Sequence, residues 1–247
     1  MVLAHISSTL DLNPYLKENH GKIKGDRGNH FKKNFFSNLI NHLIIMENTK
    51  QILIIHGGTT YQDYAQYLDN LKKKVPKLEW IQYRKDWKNE LQEQLGNKYA
   101  VYLPTMPNKT NAQYNEWKIL FERIVNLLDN NFILIGHSLG AIFIVKYLSE
   151  NKILKTPKKI LLLGTPYDNE SMEEEPLYSF LREKNLKNLK KLSEKLYFYQ
   201  SKDDFIVPFE NIKRYQEALP GAYFRKLKNY NHFLVEKIPE LLIDIEN

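Results

Sequence analysis

The sequence predicts a three-layer α/β/α sandwich built on a six-stranded parallel sheet, and three observations carry that prediction. Short apolar, β-branched runs alternate with stretches of helical periodicity over most of the chain. One run, Phe132 to Ile135, leads into Gly136-His137-Ser138-Leu139-Gly140 and then into an apolar helical stretch. Further on, an acid and a histidine each follow the end of a strand, in that order.

Gln51 to Ile55 is the first strand, ending in His56-Gly57-Gly58-Thr59-Thr60. Asp63 to Lys74 places Tyr64, Tyr67, Leu68 and Leu71 at helical spacing. Asp86 to Leu95 is a shorter helix carrying Trp87, Leu91 and Leu95. The strand Tyr99 to Leu103 is closed by Pro104-Thr105-Met106-Pro107, and Gln113 to Leu128 forms an amphipathic helix through Trp117, Phe121 and Val125. Ala141 to Ser149 is the next helix and Lys159 to Leu163 the fourth strand. A basic helical piece is expected from Leu181 to Leu192. Leu196 to Tyr199 and Tyr223 to Leu227 supply the last two strands, with helices over Phe209 to Leu219 and Leu234 to Ile245. Strands alternating with helices imply a sheet covered on both faces, with right-handed crossovers. No internal repeat is present.

Residues 1–45 differ from the rest. His20 to His30 is polar, Gly-rich and without period, so it reads as disordered. We expect residues 1–45 to be a dispensable extension, upstream sequence translated from too early a start, and the compact domain to span 46–247.

The chain has 247 residues, enough for a substantial core, and no cysteine. Disulfides, thiol nucleophiles and cysteine metal sites are therefore excluded, and a cytoplasmic location is expected. The formal charge of +7 invites a nucleic-acid reading, but residues 1–45 hold six of the 36 basic residues and three of the 29 acidic ones, which leaves an unremarkable +4 for the rest, and lysines are scattered over helix faces throughout. A solvated basic surface is the reading we adopt, with no nucleic-acid partner. No apolar run reaches the roughly 20 residues of a membrane span. Phe35 to Met46 comes nearest but is broken by Ser37, Asn38, Asn41 and His42.

Strand, G-x-S-x-G, helix is the context of a nucleophile elbow. Ser138 would sit on a sharp, strained turn with its hydroxyl above the sheet. Gly136 and Gly140 lack the Cβ that would clash as strand and helix close together. The backbone N–H of Leu139, at the helix N-terminus, points where an oxyanion would develop. The competing reading, a Gly-rich turn with a bystander serine, is weakened by the strand and helix on either side. The acid is sought in Gln200-Ser201-Lys202-Asp203-Asp204-Phe205-Ile206-Val207-Pro208, and His232 follows the last strand.

Gly-His-Ser-Leu-Gly, a late Ser-x-x-Asp-x-x-Val-Pro and a terminal His-Phe resemble the α/β-hydrolase superfamily. The six-stranded form and Met106-Pro107 after the second strand resemble the small serine hydrolases of the YdeN and retinoblastoma-binding protein nine type. The likeness covers roughly residues 50–245 and implies the reduced α/β-hydrolase fold. It selects Asp204, the residue before x-x-Val-Pro, as catalytic acid over Asp203, which would face solvent or cap the turn. Asp204 would orient His232, and His232 would take the Ser138 proton and return it to the leaving group. His137 would tuck beneath the elbow, and His56 would brace the oxyanion loop. The second oxyanion donor would be the N–H of Gly58 or, failing that, Thr59. The loops Pro104 to Asn111 and Thr165 to Leu181 would wall the pocket, the latter as a lid.

The resulting expectation is a serine hydrolase acting as a carboxylesterase on small acyl esters, with no metal or organic cofactor. A thioesterase or small-amide hydrolase on the same triad, and a non-catalytic binding module on the same scaffold, are the alternatives.

Overall fold

The computed structural model describes residues 49–172, 176–182 and 185–247. The expectations for residues 1–45 lie outside the described residues. Six strands form one parallel sheet: β1 (Lys50–Ile55), β2 (Tyr99–Tyr102), β3 (Ile133–His137), β4 (Lys159–Leu163), β5 (Leu196–Ser201) and β6 (Tyr223–Leu227). Their order is β2-β1-β3-β4-β5-β6. The chain lays β2 outside β1, then returns to the other side of β1 for β3 and continues outward. The strand order therefore reverses between β1 and β3, where α/β sheets form their ligand crevice.

The helices are α1 (Tyr64–Lys73), α2 (Leu78–Ile81), α3 (Trp87–Leu95), α4 (Tyr114–Val125), α5 (Leu139–Glu150), α6 (Lys187–Lys190), α7 (Glu210–Ala218) and α8 (Pro239–Glu246). Asp63 and Asp86 start α1 and α3 by accepting the N–H of Gln66 (2.8 Å) and Lys88 (2.9 Å). Two helices start later than their periodicity suggests. Among the described residues, the expected helix over 181–192 is reduced to the single turn α6, preceded by Asn185, whose Oδ1 accepts the N–H of Lys187 at 2.9 Å. The last helix begins at Pro239 instead of Leu234, because Pro fits the first helical position and holds Ile238 in an extended conformation (φ −132°, ψ 90°).

Alternate strand residues feed two separate cores. Leu53, Ile55, Leu134, Ile160 and Leu162 face the layer of α4, α5 and α7, where they meet Trp117, Phe121, Phe143 and Tyr215. Ile52, Ile54, Ile135, Leu161 and Leu163 face α3 and α8, against Trp87, Leu91, Leu241 and Ile245. Helix α5 is apolar nearly all round and has ten buried residues, so it is the central helix of its layer. Burying each large side chain is worth about 1.5–3 kcal/mol, which makes these layers the rigid frame for the loops at the strand ends.

Candidate active site

Ser138 lies between β3 and α5 with φ 54° and ψ −122°, a conformation that L-residues avoid and that only over-determined surroundings hold. Its N–H donates to the Leu163 carbonyl of β4 (2.9 Å), and its own carbonyl accepts from Ala141 (2.9 Å) and Ile142 (3.1 Å). The hydroxyl makes no cap hydrogen bond to α5. A Cβ on Gly136 would lie 2.7 Å from Ala141 Cα and Ile144 Cδ1, and one on Gly140 would collide with the carbonyl oxygens of Ile55 and His56. Strand, turn and helix can close this tightly only with glycine at both positions.

The other two predicted residues come together at the ends of β5 and β6. His232 Nδ1 lies 2.9 Å from Asp204 Oδ2 and 3.0 Å from Oδ1. Both side chains are buried, at 5% and 0% exposure, so water barely competes for the contact. Asp204 Oδ1 also accepts the N–H groups of Ile206 and Val207, each at 2.9 Å, and Oδ2 accepts from Gln200 Nε2 at 2.9 Å. Gly164 (φ +56°) makes room for the pair: a Cβ there would sit 3.1 Å from His232 Cε1 and 3.4 Å from Asp204 Oδ2.

Asp203 turns outward and is exposed, but it also holds the neighbouring loop. Its carboxylate accepts from the Ser201 hydroxyl, from the N–H of Asn229 (2.8 Å) and from the N–H of Asn231 (3.1 Å). Asn229, Asn231 and Phe233 all have positive φ, so the turn carrying His232 needs such anchors. The Ser201 hydrogen bond, foremost, keeps the Asp203 carboxyl below the ordinary carboxylate range. From the other side, His137 Nε2 lies 3.0 Å from the His232 carbonyl, an acceptor, so His137 donates there. Burial, followed by the nearby Lys88 ammonium, pushes the His137 imidazole well below its ordinary value.

The loop after β1 lies against the elbow: a Cβ on Gly57 would sit 3.1 Å from Ser138 Cβ. The N–H of Met106 donates to His56 Nε2 (2.8 Å), which fixes the proton on Nδ1, and that nitrogen donates to the Gly57 carbonyl (2.6 Å). Burial lowers the pKa of this imidazole as well. Thr59 spends its N–H on the Lys109 carbonyl (2.8 Å), so the fallback donor is already engaged. Among the described residues, no acceptor takes the N–H of Gly58 or of Leu139.

A cavity of about 610 Å³ opens beside Ser138 and Leu139. Pro166, Met172 and Leu177 form one wall, so part of the expected lid segment does line it. Residues 104–111 are not among its lining; Met106 and Lys109 instead hydrogen-bond His56 and Thr59 of the β1 loop. The opposite wall is α1, through Gln66, Asn70 and Lys73, and Gln66 Nε2 donates across to the Tyr178 hydroxyl at 2.8 Å. The periodicity of α1 marked only its apolar stripe, so its polar stripe went unread as a lining. Among the described residues, no group of three or more His, Asp or Glu side chains could hold a metal ion. No helix among them is long and apolar enough to cross a membrane.

The sequence profile of the serine hydrolase family matches residues 79–238. The chain belongs to that family. The likeness of this serine hydrolase to solved structures is one of fold. The ydeN gene product of Bacillus subtilis superposes with a TM-score of 0.60 at 22% identity, covering 80% of this chain and 97% of that one. A YdeN-like hydrolase from Pectobacterium atrosepticum does so at 0.51 and 10% identity, over 84% and 94%. Polyneuridine aldehyde esterase gives 0.52 at 13% identity, over 81% and 100%. No curated protein sequence matches the chain. The architecture of this serine hydrolase is the reduced, six-stranded α/β-hydrolase fold.

Proposed function

We propose that this serine hydrolase is a carboxylesterase working through Ser138, His232 and Asp204. The observation that carries the reading is the buried His232–Asp204 contact at 2.9 Å, formed at two strand ends beside a strained, uncapped serine. His232 accepts the Ser138 proton as Oγ attacks the acyl carbon, and Asp204 fixes the productive tautomer and stabilises the cation. The Leu139 and Gly58 N–H groups receive the developing oxyanion. His232 then hands the proton to the departing alkoxide, leaving an acyl ester on Ser138. A water deprotonated by His232 hydrolyses that ester, and Ser138 regains its proton as the acid leaves.

The wall formed by Gln66, Asn70 and Lys73 favours small acyl esters with a polar group over long alkyl chains. A fluorophosphonate probe should label the protein, and Ser138→Ala should abolish labelling. Turnover of p-nitrophenyl esters of increasing acyl length should peak at short chains. Faster cleavage of thioesters or small amides than of matched oxygen esters would reassign the leaving group and keep the residue roles. Absence of both labelling and turnover would make the protein a binding module on this scaffold.

A further inference from the structure

Helix α1 presents its polar side to the cavity and its apolar side to solvent, the reverse of an ordinary surface helix. Successive helical residues are 100° apart, so Tyr64, Leu68 and Leu71 form one stripe, while Gln66, Asn70 and Lys73 form the opposite one. The second stripe lines the cavity. Beside the first stripe, Tyr67 is part-buried, with its ring 5.5 Å from that of Tyr61; among the described residues no side chain of α1 is fully buried, and Leu71 is 51% exposed. The apolar run continues past the helix through Val75, Leu78, Ile81 and Tyr83, each at least 74% exposed. Apolar side chains exposed singly are ordinary, but a run of this length at the rim of a cavity marks a contact surface.

Charge indicates what it contacts. Lys73 and Lys74 belong to the cavity side, and Lys73 pairs with Asp69 at 2.6 Å, but Lys72, Lys77, Arg84 and Lys85 accompany the apolar run, against only Asp63 and Glu79. A second copy would bring the same positive excess to the contact. Residues 1–48 also carry more basic than acidic side chains. Aliphatic and tyrosine side chains interleaved with lysines suit the boundary of an anionic bilayer, where the apolar groups insert and the ammonium groups meet phosphate.

We propose that the outer stripe of α1 and the segment through Tyr83 dock this protein on an anionic lipid surface. The inference does not depend on the roles given to Ser138, His232 and Asp204, because binding is read without turnover. The full chain is sedimented with vesicles of phosphatidylcholine alone and of phosphatidylcholine mixed with phosphatidylglycerol. Binding is expected to the mixed vesicles, weakening with salt, and little to the neutral ones. Leu68→Ser/Leu71→Ser should weaken it about tenfold or more through lost apolar insertion. Lys72→Glu/Lys77→Glu, changed only at exposed surface lysines, should weaken it to a similar extent with hydrolysis of soluble esters unchanged. Wild-type protein that fails to bind, or variants that bind as well as wild type, would overturn the proposal. So would a concentration-dependent dimer lost in Leu68→Ser/Leu71→Ser, which would assign the face to a second copy. A photo-crosslink from position 71 to a peptide of residues 1–48 would assign it to the chain itself.

Discussion

His137 holds the backbone of His232: its Nε2 lies 3.0 Å from the His232 carbonyl oxygen, with the two rings 4.9 Å apart. The residue before the proposed nucleophile thus anchors the loop that brings the proposed base to it. His137→Phe fills a similar volume but removes the donor, and a displacement of about 1 Å at His232 can cost about 100-fold. We expect kcat to fall about 10- to 100-fold with KM little changed, and His137→Gln, which keeps an N–H donor, to recover part of the loss. Steady-state kinetics on a p-nitrophenyl ester would check this. A Phe variant with wild-type kcat would show that the anchor is dispensable.

The same imidazole should add to the acid sensitivity of the fold. His137 and His56 both have their pKa lowered, by burial first, whereas in the unfolded chain they titrate near pH ~6.5. Below that pH the unfolded state binds protons that the folded state refuses, so the contribution of these two histidines to stability is complete above about pH 6.5 and is lost as pH falls. Each fully excluded proton contributes about 1.4 kcal/mol per pH unit. Tm measured from pH 8 to 5 should be flat at first and then fall, and the fall should be shallower in His137→Phe. An unchanged slope in that variant would exclude His137 as a source.

Asp203 and Asp204 are neighbours with different tasks. Asp204 is buried against the imidazole, while Asp203 is exposed and anchors Asn229 and Asn231. Asp204→Asn should reduce kcat about 10³- to 10⁴-fold, since an amide favours neither the productive tautomer nor the cation. Asp203→Asn keeps one oxygen for the loop and should change kcat by less than about tenfold. The opposite ranking in a rate assay would exchange the two assignments.

All six strands, and the placement of Ser138, of the Asp203-Asp204 pair and of His232 just past strand ends, were legible because local patterns encode them: β-branched runs, glycines flanking a serine, and acids and a histidine after the last two strands. The choice of Asp204 over Asp203 came only from the family resemblance. Long-range contacts were less legible. Nothing local to Thr59 says that its N–H is taken by Lys109, fifty residues on. The pairing depends on how the loop after β2 folds back over the loop after β1. The lining role of α1 was hidden because amphipathic periodicity locates an apolar stripe without telling which way it faces. The late start of α8 was readable from Pro239, but the apolar spacing from Leu234 obscured it.

Gly58 offers a test of the donor assignment that leaves every proposed catalytic side chain in place. A Cβ at this position would lie 2.5 Å from the Lys109 carbonyl oxygen, the same oxygen that holds Thr59. Backbone cannot yield as a flexible side chain can, so Gly58→Ala must displace the loop and with it the Gly58 N–H. Losing one oxyanion donor typically costs about 10²- to 10³-fold in kcat. The elbow and the His232–Asp204 pair belong to other strand ends, so fluorophosphonate labelling of Ser138 should persist, at a reduced rate. We therefore expect Gly58→Ala to lose about two orders of magnitude in kcat on p-nitrophenyl esters while its Tm drops only a few degrees. Thr59→Ala keeps the backbone donor to Lys109 and should stay within about threefold of wild type. Full activity in Gly58→Ala would remove Gly58 from the oxyanion hole and leave Leu139 without its proposed partner.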